Sequence, residues 1–115
     1  MLHFEKLNVW SKSIDYAVKL IQIADSLPQK YQFSFADQLR RAALSIPSNI
    51  AEGVGRSGKR DRANFYSISK GSVYESVNIL KLLERIHIEV FRHVSINGLY
   101  DKAEEICKML YGLSK

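Results

Sequence analysis

The chain has a single cysteine, Cys107, so no disulfide can close within it, and that usage fits a reducing, cytoplasmic compartment. One Cys and three His are too few for a zinc site of the usual spacing, and no metal or cofactor is expected. Two prolines and six glycines among 115 residues leave no low-complexity segment. No apolar run reaches the ~18 residues of a membrane span. The opening stretch MLHFEKLNVW lacks the uninterrupted apolar segment of a signal peptide. Sustained period-two alternation is missing too. Ile86 to Val90 alternates only briefly, and five residues between helical stripes predict a turn rather than a strand.

What the chain does have is helical periodicity. Trp10, Ile14, Ala17, Val18, Ile21 and Ala24 recur at spacings of three and four, a stripe that stops at Leu27-Pro28. A second stripe runs Phe35, Leu39, Ala42, Ala43, Ile46, Ile50, Val54, and it passes Pro47 without losing phase. A third runs Phe65, Ser69, Ser72, Val73, Ser76, Leu80, Leu83. The fourth holds Phe91, Leu99, Ile106, Met109, Leu110 and Leu113, with Gly98 weakening its first turns. The predicted helices span roughly residues 8–26, 34–55, 59–87 and 91–114. Four helices with short connections predict an all-α, antiparallel up-and-down four-helix bundle, one domain over residues 1–115. With 46% hydrophobic residues the chain can fill one core without staples.

The net charge of +5 is unevenly placed. From Arg40 to Arg62 there are six cations (Arg40, Arg41, Arg56, Lys59, Arg60, Arg62) against two anions (Glu52, Asp61), a local net of +4. The rest of the chain holds eleven cations and ten anions. Such asymmetry points to an anionic partner, of which nucleic acid is the commonest.

Two phosphate-binding motifs overlap this region and neither fits. Gly53, Gly55 and Gly58 match G-x-G-x-x-G, and Gly53 to Lys59 begins like a P-loop. Both motifs need a strand leading into the glycines, and here a helix leads in. The P-loop also needs Ser or Thr after its lysine, where this chain has Arg60. The segment reads instead as an inter-helix connection, with Asp61 in the first turn of the third helix.

The stretch RRAALSIPSNIAEG is unusual for a helix with a core face to bury. Gln38, Arg41, Ser45, Ser48, Asn49 and Glu52 fall within an arc of about 100° beside the apolar stripe. Pro47 lies on a third side, and the helix is expected to kink there and continue. The polar stripe has three readings: a solvated face, a packed seam against another helix or subunit, or a catalytic site. A seam explains why the side chains are short, and Arg41 then pairs with Glu52 or Glu75. A catalytic site lacks a base, since no His falls in these motifs and one glutamate is not a carboxylate pair. His87 and His93 flank the third connection as turn residues, six positions apart, which suits no ligand pair. No catalytic residue is assigned. Tyr66, near the basic turn, is expected to pack rather than to stack on a base.

These residues resemble a known family, the four-helix-bundle proteins encoded in 23S ribosomal RNA intervening sequences. The likeness is carried by Leu7-x-Val9-Trp10, Leu27-Pro28 and Tyr31, then by the run from Asp37 to Gly53. Phe65, Ser69-Lys70-Gly71-Ser72 and Glu75 complete it. The family is similar in fold to the accessory variability proteins of diversity-generating retroelements, which are basic and are thought to bind nucleic acid. The resemblance implies an antiparallel bundle that assembles as a ring-like homopentamer, with the polar seam as a subunit interface.

Together these readings lead to a non-enzymatic oligomeric bundle that binds nucleic acid, RNA before DNA, through Arg40, Arg56, Lys59, Arg60 and Arg62. The alternative is an interaction scaffold whose basic turn docks an acidic protein, with no nucleic-acid role.

Overall fold

The computed structural model describes residues 1–86, 88, 89 and 96–115. After a 3-10 turn at His3–Lys6, four helices follow: α1 (Asn8–Ser26), α2 (Asp37–Val54), α3 (Lys59–Arg85) and α4 (Ile96–Leu113). There is no strand among the described residues. Each helix packs on the next and α4 closes back on α1, so the four surround a shared core in up-and-down order. The molecule measures 45 × 25 × 24 Å. His87, His93 and Phe91, with the expected end of the third helix at 87 and the start of the fourth at 91, lie outside the described residues.

The α1–α2 corner is built by three side chains. Leu27 is extended, its N–H still donating to the Ala24 carbonyl at 3.2 Å, and Pro28 follows with φ −54°, which stops α1 and leaves carbonyl capacity at its end to be filled. Gln32 fills it, its Nε2 donating to the Ala24 and Leu27 carbonyls at 2.9 and 2.8 Å. Arg40 in turn donates to Gln32 Oε1 at 2.6 Å and to Asp25 through two nitrogens at 3.0 and 2.9 Å. The chain passes through a 3-10 turn (Gln29–Tyr31) and a π turn (Gln32–Ala36) into α2, three residues later than residue 34.

The second stripe is placed as its periodicity predicts, with Leu39, Ala42, Ala43, Ile46 and Ile50 all buried. Pro47 sits inside an unbroken α2 and is buried too. Its side of the helix is not free, because Arg40 on that side reaches α1.

The first stripe is displaced. Val18 and Ile21 are exposed at 47% and 37%, while Val9, Ser13, Tyr16, Leu20 and Ile23 face the core. The reason is polar. Ser13 donates to the Trp10 carbonyl at 2.7 Å, and Tyr16 crosses the core to Ser76 on α3 at 2.8 Å. Both side chains can therefore be buried, and a reading by hydropathy passes over them.

Candidate functional site

α2 and α3 form the most intimate helix pair, and small residues are the cause. A Cβ at Gly53 would stand 2.7 Å from Tyr66 Cε1 and 3.0 Å from Phe65 Cβ, so only glycine lets α3 approach here. Further along, Ser69 Oγ donates to the Ile46 carbonyl at 2.8 Å, just before Pro47. Ser72 Oγ donates to Ser45 Oγ at 2.7 Å, and Asn49 Nδ2 reaches both the Ser45 carbonyl and its hydroxyl at 2.8 and 2.9 Å. Ser45 and Asn49 thus belong to a polar seam between α2 and α3. Gln38, Arg41, Ser48, Glu52 and Glu75 are exposed on the outside of it.

Arg41 pairs with neither glutamate expected for it. Its Nε donates to Asp37 at 3.3 Å, one turn back on its own helix. Glu52 accepts from Arg56 instead, at 3.0 Å.

The basic segment divides into two unconnected parts. Arg40 stands at the α1–α2 corner, held by Asp25 and Gln32, and is not brought to the turn. Sixteen residues of chain, most of them α2, separate it from Arg56, roughly 24 Å at helical rise. At the other end of α2 the chain makes the turn Gly55–Gly58 and enters α3 at Lys59. Arg56 is engaged three ways there: with Glu52 at 3.0 Å, with Asp61 at 3.9 Å, and over the Phe65 ring at 4.8 Å. Arg62 caps the turn, its guanidinium donating to the Ser57 carbonyl at 2.7 Å and the Arg56 carbonyl at 3.3 Å. Lys59 and Arg60 are both exposed and have no hydrogen-bond or ion-pair partner among the described residues. They are the cations that remain available to a ligand.

Perturbed acid–base groups are few. Burial pushes the Tyr16 hydroxyl up to about 12. Burial also raises Tyr66 and the half-buried thiol of Cys107, against the nearby charges of Arg62 and Lys70. The exposed Glu105 carboxyl is held below its usual range by its hydrogen bond to Lys12, 2.6 Å away on α1. No helix of the described residues is long and apolar enough to cross a membrane.

The seam and the glycine-set α2–α3 contact account for the densest part of the sequence pattern, and a family model covers the whole of it. The model for 23S rRNA-intervening sequence proteins matches residues 5–112. The chain belongs to that family. A comparison with curated proteins returned no match. Among solved structures, the chain is similar to a protein with unknown function from the S23 ribosomal protein family of Bacteroides thetaiotaomicron. The two superpose with a TM-score of 0.78 at 23% identity, over 93% of this chain and 98% of the other. That likeness establishes a shared fold.

Proposed function

We propose that this family member is a non-enzymatic, self-associating bundle that binds nucleic acid, RNA before DNA, through the turn between α2 and α3. The observation that carries the reading is the adjacent pair Lys59 and Arg60, exposed and without a partner on the first turn of α3. Unbonded N–H groups of that turn add partial positive charge toward the same approach, which suits phosphate oxygens. Arg56 and Arg62 contribute less, because the structure already uses them. The family's name carries 23S rRNA, which favours RNA as the partner.

The non-enzymatic reading rests on the polar seam, where Ser45, Ser72 and Asn49 bond to one another with no carboxylate or imidazole among them. Self-association is supported by the outer face of α2 and α3. Leu44 on α2 and Ile68 and Leu82 on α3 are large apolar side chains left 68%, 52% and 45% exposed. A pentameric ring, as the resemblance implies, would repeat the turn and let weak contacts combine.

The test is fluorescence anisotropy against labelled hairpin and single-stranded RNA and duplex DNA across a salt series. Two phosphate contacts from Lys59 and Arg60 predict a log–log salt slope of about −1.4 per protomer on single strands. No binding at low salt would remove the nucleic-acid reading and leave the turn as a dock for an acidic protein. Sedimentation of Leu44→Glu/Ile68→Glu tests assembly, with a shift toward monomer expected.

A further inference from the structure

The basic turn is the beginning of a longer row of cations. Lys59, Lys70 and Lys81 recur at eleven-residue intervals along α3. Eleven residues are three helical turns plus about 20°, so the three lysines line one side of the helix over roughly 33 Å. That side faces α4. Lys81 Nζ lies 5.1 Å from the ring centre of Tyr100 on α4, and Lys70 lies 5.6 Å from that of Tyr74 on α3. Near the end of α4, Lys115 lies 4.9 Å from the ring centre of Tyr111.

The three rings stay open to solvent, with Tyr74 62%, Tyr100 41% and Tyr111 62% exposed. Two open grooves between α3 and α4 join them. One, of about 300 Å³, has Tyr74 and Tyr100 in its wall, and the other, of about 230 Å³, lies between Lys70 and Tyr111. Lys70 links the two, bordering the second groove while it covers the ring that walls the first. Glu104 is the one carboxylate among the described residues that line them. A lysine beside an exposed tyrosine is ordinary when met alone. Three such pairs in line, joined by grooves and continuous with the unpartnered Lys59, form a track of alternating rings and charges.

Resting on the nucleic-acid reading above, we propose that the α3–α4 face is a stacking track for single-stranded nucleic acid. Bases lie against Tyr111, Tyr74 and Tyr100, while Lys70, Lys81 and Lys115 leave those rings and, with Lys59, meet phosphates. Stacking on an aromatic face is tolerant of sequence, because every base has such a face to offer. A duplex keeps its base faces stacked on each other, so the track selects single strands. An acidic peptide would engage the lysines and leave the ring faces idle.

The experiment is anisotropy at low salt with labelled oligouridylate and with a hairpin duplex. The proteins are wild type, Tyr74→Ala, Tyr100→Ala, Tyr111→Ala, the matching Phe variants, and Lys59→Glu/Arg60→Glu. Each Ala variant is expected to lose about tenfold in affinity for the single strand, and each Phe variant to keep it. Hairpin binding should stay within about twofold of wild type for all six tyrosine variants. Unchanged single-strand affinity in the Ala variants, or an equal loss on the hairpin, overturns the track. If Lys59→Glu/Arg60→Glu then still weakens both probes, the turn stands without the track. Wild-type protein that binds neither probe removes both.

Discussion

Tyr16 and Ser76 permit a prediction whose two halves differ although they share one hydrogen bond. The Tyr16 hydroxyl lies 2.8 Å from Ser76 Oγ, and Ser76 Oγ donates its own proton to the Val73 carbonyl at 2.6 Å. The proton between the two side chains therefore belongs to Tyr16. Tyr16→Phe removes a donor and leaves Ser76 with its own bond intact, so the cost is that of one net hydrogen bond, about 0.5–1.5 kcal/mol. Ser76→Ala leaves a fully buried hydroxyl without an acceptor, at about 1–3 kcal/mol. The double variant strands nothing, so it should cost less than the sum of the two singles, by about 1 kcal/mol.

Urea unfolding followed by the fluorescence of the sole tryptophan, Trp10, measures all four proteins. A Ser76→Ala cost below that of Tyr16→Phe, or strict additivity, would refute the assignment of the proton. The same hydroxyl predicts a dependence on alkaline pH. Burial raises it from 10.0 to about 12, so the folded state holds its proton longer than the unfolded chain does. That contribution is fully present below pH 10 and is lost as pH rises through about 12. Its size is on the order of 2–3 kcal/mol, and Tyr16→Phe should lack it.

Other outcomes follow from the same contacts. Gly53→Ala puts a Cβ 2.7 Å from the Tyr66 ring and should destabilise by about 1–3 kcal/mol despite the better helix propensity of alanine. Gly71→Ala, where a Cβ meets nothing within 4 Å, should stabilise by about 0.5–1 kcal/mol in the same thermal or urea assay. Arg40→Met cuts the ties to Asp25 and Gln32; with Asp25 61% exposed, solvent limits the loss to about 1 kcal/mol. Nucleic-acid affinity of Arg40→Met should match wild type in the anisotropy assay, because Arg40 stands at the opposite end of α2.

Much of the fold is legible in the sequence because α2 and α3 bury faces that hydropathy can find. Leu39, Ile46 and Ile50 on one helix, and Val73, Leu80 and Leu83 on the other, keep strict helical phase into the core. α1 is harder to read, because its buried face depends on Ser13 and Tyr16, which look like surface residues until their hydrogen-bond partners are known. The charge cluster is legible as a count and misleading as a place. Arg40 and Arg41 precede Arg56 in sequence, but α2 carries them to the other end of the bundle, where Asp25 and Asp37 neutralise them. Within the turn, the Glu52–Arg56 pair follows helical spacing, but the hold of backbone carbonyls on Arg62 and of the Phe65 ring on Arg56 is revealed by no spacing rule. The eleven-residue lysine row is present in the sequence, yet it gains meaning only beside the tyrosines that α4 brings to it.

The central claim is that Lys59 and Arg60 meet phosphates. The most direct measurement compares wild type with Lys59→Glu/Arg60→Glu on labelled RNA, single-stranded and hairpin, from about 50 to 200 mM salt. Wild type should bind, and weaken at least about sevenfold on the single strand over that range if two phosphates are contacted. The variant should lose most of its affinity for both RNAs while keeping its melting temperature. A variant that binds as wild type does, or a wild type that binds nothing at low salt, would contradict the account.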